Sequence, residues 1–269
     1  MRLHPCQQDL GDELESPEEE DAESSEYDWL VIDTALDLTS NLALALGAQF
    51  AEIFKEFEKP LKKFASSNTP FERSTAIGVI AEITGHMGSA ITPFTASLLP
   101  VLLKRLSDTD PEAKSNAAYG TGLLIFHSQD SATYLPSYNN ILSKLEPLLQ
   151  TNHARSIDNA CGCVSRMIMA HQDAVPLNDI LPVMAGLLPL KEDYEENEPI
   201  FEMIAGLYSQ SNQTILQLTP KLIPVFAAVL GEPVEQLEIE TREKVKGVVK
   251  FIGGSHPELL NGHPSLQNL

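Results

Sequence analysis

The chain has 269 residues and a large excess of negative charge, with 38 acidic against 18 basic side chains and a formal net charge of −20 at pH 7. A polyanion of this kind repels nucleic acid and anionic lipid, so the charge argues against direct binding of either and favours a basic protein as partner. Hydrophobic residues make up 43% of the chain and aromatic residues only 6%, which indicates the aliphatic core typical of stacked helices.

The first predicted element is an acidic segment. Residues 9–28 contain 11 acidic residues and neither Lys nor Arg. Such a composition cannot bury enough apolar surface to offset the entropy of ordering, so residues 1–28 are predicted to be disordered or a mobile loop. Helical periodicity then runs over 29–255. The remaining tail, 256–269, contains two prolines and a glycine and is expected to fray.

The region 29–255 carries an internal repeat of about 40 residues. A step of the form small-x-Gly ends at Gly78, Gly120 and Gly162, each 42 residues after the last, and returns at Gly247. An independent aliphatic-Pro-Val step surrounds Pro100, Pro182 and Pro224 with the same period. Two landmarks with one period of this length are typical of solenoids built from helix pairs.

Each repeat unit divides into a first helix that contains the proline and a second helix that contains the glycine step. The division gives a leading half-unit and five pairs: Tyr27–Leu46, then 48–88, 91–128, 133–171, 176–210 and 214–255. We therefore predict an all-α, right-handed HEAT-type solenoid of antiparallel helix pairs, about five and a half repeats long. A chain that opens on a second helix is expected to be part of a longer array.

No pattern typical of an enzyme or a metal protein is found. Cys6, Cys161 and Cys163 form no even disulfide framework, and the C-x-C pair has no second ligand pair, so we expect buried thiols in a reducing compartment. The seven histidines lack metal-ligand spacing, and no HExxH, GxSxG or phosphate-binding loop occurs. We expect no catalytic residue, metal or cofactor. No uninterrupted apolar run approaches about 20 residues, so no membrane-spanning helix is expected either.

Candidate binding residues cluster where second helices begin, because these helix starts line the concave face of such solenoids. They are Asn116 with Tyr119, Asp158 with Asn159, and the acidic run with Glu192, Glu195, Glu196 and Glu198. An asparagine amide can bond the backbone of an extended peptide, or it can cap its own helix. The acidic run can receive a cargo lysine, or it can be a solvated turn. Both alternatives stay open here.

Three segments resemble the C-terminal part of the karyopherin-β (importin-β superfamily) nuclear import receptors, with the importin-four type nearest. These segments are SNAAYG at Ser115–Gly120, DNACG at Asp158–Gly162 and LPLKEDYEE at Leu188–Glu196. The similarity covers most of residues 29–255.

The resemblance implies a receptor that binds basic nuclear localisation signals, such as those of core histones and ribosomal proteins, and that works in cytoplasm and nucleus. Asn116, Asn159, Glu195 and Glu196, with Tyr119, would take up cargo lysines. It also implies Ran-GTP and nucleoporins as partners of the full-length receptor, while an accompanying histone chaperone stays open. A HEAT scaffold that assembles a multiprotein complex is the alternative function. A HEAT-like DNA-repair glycosylase would need a basic concave face, which the net charge opposes.

Overall fold

The computed structural model describes residues 17–231 and 236–269, with side chains described from Leu30 onward. It contains thirteen α-helices in this part of the chain, and no strand occurs among the described residues. Short 3₁₀ segments connect several of them. The helices are α1 Pro17–Leu46, α2 Ala51–Phe64, α3 Pro70–Met87, α4 Thr95–Arg105, α5 Pro111–His127, α6 Ser131–Tyr134, α7 Tyr138–Leu149, α8 Ala154–His171, α9 Leu177–Leu187, α10 Asn197–Ser209, α11 Gln213–Leu230, α12 Ile239–Ser255 and α13 Pro264–Gln267.

The helices form two rows. Helices α1, α3, α5, α8, α10 and α12 contact one another in that order and form the inner row. Helices α2, α4, α7, α9 and α11 form the outer row, and each contains the proline of its repeat. From α3 onward the inner helices begin 41 to 43 residues apart. The predicted HEAT-type solenoid of one leading helix and five pairs is therefore confirmed.

Local sequence explains where individual helices begin and which face they bury. The side chain of Asp110 accepts a hydrogen bond of 2.8 Å from the Ala113 amide, and Pro111 occupies the first turn of α5. The side chain of Asn212 caps α11 in the same way. One apolar face of α11 is buried, as the spacing of three and four residues predicts. It includes Ile215, Leu218, Leu222, Phe226 and Val229.

A single hydrophobic core runs through the array, from Leu36 in α1 to Leu266 in α13. Each inner helix packs on its neighbours in the row; α3, α5, α8 and α12 also pack on the outer helix that precedes them, whereas α10 packs on α11. Because each repeat buries its apolar face mainly on its neighbours, the starts of α3, α5 and α8 lie in register along one edge, while α10 begins further along α8. That edge carries the candidate site.

Two predicted boundaries differ from the structure. Helix α1 begins at Pro17, so residues 17–28 continue the first inner helix and are not the loop that their composition predicts. Residues 1–16 lie outside the described residues. The tail 256–269 does not fray, because Leu260 and Leu266 are buried, and the segments that carry them contact α11.

The expectation about apolar length was wrong. By length and composition alone, three helical stretches could cross a membrane: Leu30–Phe64, Pro70–Arg105 and Gln213–Leu230, with mean hydropathies of 1.2 to 1.3. Single polar residues interrupt the apolar runs, but the mean hydropathy of each stretch remains high enough for a membrane-spanning helix. The first two stretches each join two helices of the solenoid, and 22 to 50% of the residues in the apolar windows are buried inside it.

Candidate functional site

The predicted site residues divide by burial. Asp158, Asn159 and Glu196 are at most 2% exposed, so they cannot meet a ligand from solvent. Glu192 and Glu195 are exposed. Asn116, Tyr119 and Glu198 are partly buried; burial raises the pKa of Glu198, and the nearby Glu238 carboxylate adds to the rise.

Asp158 organises the loop that precedes α10. One of its carboxylate oxygens, Oδ2, accepts hydrogen bonds from three successive backbone amides, those of Lys191, Glu192 and Asp193, at 3.2, 2.8 and 2.9 Å. Three donors on one buried oxygen hold this loop against the first turns of α8. The prediction that Asp158 binds cargo is corrected by this geometry, because the carboxylate is used inside the protein.

The two asparagines tie neighbouring inner helices together. The Asn159 Nδ2 donates to the Ser115 Oγ at 2.9 Å, and the Asn116 Nδ2 donates to the backbone oxygen of Ser74 at 2.9 Å. Each bond joins residues 42 to 44 positions apart, which is one repeat. Neither asparagine caps its own helix. The recurrence of Asn at this position therefore has a structural cause, and Asn159 is too deeply buried to bond a cargo backbone.

Glu196 forms a buried ion pair with Arg166 of α8. The two Arg166 nitrogens lie 2.6 and 2.8 Å from the two carboxylate oxygens, and both side chains are at most 8% exposed. Burial raises the pKa of Glu196, and the Arg166 guanidinium opposes the rise. Both the cargo-lysine role and the solvated turn that the sequence allows for Glu196 need an accessible carboxylate, and this one is buried.

Gly162 provides the space for this carboxylate. A Cβ placed on Gly162 would lie 1.3 Å from Oε2 of Glu196, so a glycine is required there. The first turn of α10 thus meets the middle of α8, and the loop before it covers the start of α8.

Tyr119 connects the buried pair to the surface. The Arg166 guanidinium carbon lies 5.4 Å from the centroid of the Tyr119 ring, within cation–π range. Burial raises the pKa of Tyr119 to about 12, and the negative charges of Glu196, Glu195 and Asp193 add to the rise. The Arg166 guanidinium opposes this rise.

The carboxylates of Glu112, Glu192, Asp193 and Glu195 form what we call the acidic site; Glu192 and Glu195 are exposed, and Glu112 and Asp193 are partly buried. Arg155 pairs with two of them, with Nη1 3.3 Å from Glu112 Oε2 and Nε 3.6 Å from Asp193 Oδ2. Its backbone amide donates to Glu192 Oε2 at 3.2 Å. Glu195 makes no ion pair with any described residue. One cation against four carboxylates leaves a net negative surface beside Tyr119.

Sequence reasoning missed Glu112, Arg155 and Arg166. Glu112 and Arg155 are 43 positions apart, so pairing residues one repeat apart would have found them. Arg166 follows Gly162 by one helical turn and so lies on the same face of α8. The buried thiols of Cys161 and Cys163 agree with the prediction. Among the described residues, no group of three His, Cys, Asp or Glu side chains could hold a metal ion.

Comparison with known proteins gives a family. No family model matches the chain. It is 41% identical over 249 residues to "Probable importin subunit beta-4" of Schizosaccharomyces pombe, covering 92% of this chain and 23% of that protein. It is 32% identical over 237 residues to "Importin-4" of Homo sapiens, covering 87% of this chain and 22% of that protein.

Among solved structures, Kap121p bound to Pho4p aligns with a TM-score of 0.58 over 82% of this chain and 22% of that one. Its 14% identity makes this a likeness of fold.

The fold and the candidate site define a helix-pair solenoid with a cluster of carboxylates near the starts of its inner helices. The comparisons are more specific. The chain belongs to the karyopherin-β family and is similar to its importin-4 members, which confirms the predicted family. It spans 22 to 23% of the length of these relatives.

Proposed function

We propose that this chain is a cargo-binding part of a nuclear import receptor and holds basic protein segments at the acidic site. The observation that carries the proposal is the excess of carboxylates at the acidic site: Arg155 pairs with Glu112 and Asp193, whereas Glu195 is exposed, forms no ion pair with a described residue and places its negative charge near Tyr119. A lysine side chain laid along the exposed part of Tyr119 would place its ammonium near Glu195 and Asp193.

Membership of the karyopherin-β family and a net charge of −20 support this function over the scaffold alternative. The proposed cargoes are core histones and ribosomal proteins, with a histone chaperone as a possible companion. Ran-GTP and nucleoporins are proposed partners of the full-length receptor, which would move between cytoplasm and nucleus. The proposed role is transport without catalysis, and no cofactor is needed for it.

The buried residues have a supporting part in this function. Asp158 holds the backbone of residues 191–193, and the Arg166–Glu196 pair holds the residue after Glu195. Both ends of the acidic run are thereby anchored, so its exposed carboxylates are presented in a defined geometry. Preorganisation of this kind reduces the ordering cost of binding.

The test is a charge reversal at an exposed position. Glu195→Lys should weaken binding of a Lys-rich histone-tail peptide by about tenfold or more, because one attraction is lost and a repulsion is added. Glu146→Lys is the matched control, since Glu146 is an exposed glutamate of the outer helix α7. Fluorescence anisotropy at two salt concentrations measures both affinities.

Parent affinity should also fall steeply between low and physiological salt, since exposed charges are screened over about 8–10 Å. The proposal is contradicted if Glu195→Lys and Glu146→Lys bind the peptide equally well. An affinity indifferent to salt would also contradict it, because it would indicate an apolar interface.

A further inference from the structure

A second polar surface lies next to the acidic site and carries the opposite charge. A cavity of about 240 Å³ opens between the α4–α5 loop, α7 and the turn before α8. Two lysines, Lys114 and Lys144, line it. Ser107, Ser143 and Thr151 supply hydroxyl groups to the same walls. A cavity with two ammonium groups is unexpected on a chain with a net charge of −20.

Neither lysine is neutralised within the described part of the chain. Lys114 and Lys144 form no ion pair with any described carboxylate. The Lys144 Nζ donates only to the Ser107 Oγ, at 2.7 Å. That hydroxyl keeps its own proton and can donate it to a ligand. By contrast Lys55, Lys62, Lys244 and Lys246 all have carboxylate partners.

The carboxylate in the cavity wall does not offset this charge. Asp108 is 8% exposed and binds Arg73 at 2.7 Å and Arg105 at 2.5 Å. The Asp110 amide donates a further hydrogen bond of 3.0 Å to it. The charge of the Asp110 carboxylate also acts on Arg73, so two guanidinium groups face two carboxylates and the cluster is close to neutral. An anion in the cavity would therefore face positive charge from the two lysines.

The chemistry of the cavity favours a phosphoryl group. A phosphate monoester has three acceptor oxygens and nearly two negative charges, which match the two ammonium groups and the hydroxyl donors of Ser107 and Thr151. Nucleic acid and anionic membranes contain phosphate too, but their extended charge is repelled by the rest of the molecule. A basic protein with one phosphorylated side chain avoids that repulsion.

We propose that this cavity binds the phosphoryl group of a phosphoserine or phosphothreonine on a basic protein segment held at the acidic site. The choice of a basic partner rests on the proposed function. Glu112 of the acidic site and Lys114 of the cavity both lie in the first turn of α5, where residues two apart project to opposite sides of the helix. A bound segment that crosses the start of α5 would reach both surfaces, and phosphorylation of the cargo would strengthen its binding.

The first experiment measures the cavity alone. Inorganic phosphate is titrated with the protein at constant ionic strength and followed by ³¹P NMR line broadening. The parent should broaden the resonance, and Lys114→Gln/Lys144→Gln should reduce the apparent affinity at least tenfold. Lys59→Gln/Lys221→Gln removes the same charge from exposed positions elsewhere and should bind phosphate like the parent. No broadening with the parent, or equal losses in both double variants, would overturn the proposal.

The second experiment identifies the source of the anion. N-acetyl-phosphoserine amide should displace phosphate from the parent, and N-acetyl-aspartate amide should need at least tenfold higher concentration. Equal competition would overturn the proposal by showing a general carboxylate site. Lys114→Gln/Lys144→Gln should still bind the unphosphorylated Lys-rich peptide, so a failure of the cavity is distinguishable from a failure of the acidic site.

Discussion

The buried ion pair between Arg166 and Glu196 gives the sharpest test of the structure. Glu196→Ala removes two charged hydrogen bonds and leaves a guanidinium whose side chain is 8% exposed without its partner. Breaking such a pair from one side costs about 3–5 kcal/mol of unfolding free energy, which is a large share of the roughly 5–15 kcal/mol of an ordinary domain. Urea unfolding followed by circular dichroism measures the loss.

Two further variants separate the effect of the unpaired Arg166 charge from the effect of shortening a side chain in this segment. Glu195→Ala, at the exposed neighbouring position, should change the unfolding free energy by no more than about 0.5 kcal/mol. Adding Arg166→Met to Glu196→Ala should recover part of the loss, because it removes the unpaired buried charge. The reasoning is refuted if Glu196→Ala is within about 1 kcal/mol of Glu195→Ala.

Three other predictions follow from single contacts, each checked by urea unfolding. Gly162→Ala should lower the free energy of unfolding by about 2–4 kcal/mol, because the new methyl group displaces the carboxylate of the ion pair. Alanine is ordinarily the better helix former by about 1 kcal/mol, so a more stable variant would contradict this reasoning. Asp158→Ala should lower the free energy of unfolding by about 2–4 kcal/mol, since three backbone amides lose their acceptor. An unchanged free energy would show that contacts other than those of Asp158 hold residues 191–193 in place. Burial opposes ionisation of Asp108, but the partners at Arg73, Asp110 and Arg105 outweigh it and hold its pKa well below 3.8. The contribution of ionised Asp108 to the free energy of unfolding is therefore complete above about pH 4 and is lost as the pH falls further. Asp108→Asn should flatten the pH dependence of the free energy of unfolding in that range.

The acidic site could be predicted only in outline. Repeat spacing determines which residues share the edge of a solenoid, so it brought together the run from Glu192 to Glu198 and the helix starts around Asn116 and Asp158, and the binding of cargo there stays a prediction. Their individual roles could not be assigned in this way. A carboxylate in a charged run has the same sequence signature whether it faces solvent, as Glu195 does, or a buried arginine, as Glu196 does.

The amino-acid sequence by itself determined the architecture of this protein. The 42-residue recurrence of Gly78, Gly120 and Gly162 and the recurring prolines of the outer row specify helix pairs, and the apolar spacing within α11 specifies its buried face. These signals are local or periodic, and a repeat fold needs no others because each unit packs only on its neighbours. The family follows from the same residues.

Only the tertiary structure decided which polar residues support the fold and which remain free to bind. Asp158 and Glu196 each bond a group from a different helix or loop, and Gly162 has its role because a side chain from the next repeat occupies its missing Cβ position. The shift of α10 along α8 creates these contacts, and it depends on how the loop 188–196 packs. Burial of a charge is a property of the surrounding repeats, so the residue type and its spacing cannot reveal it.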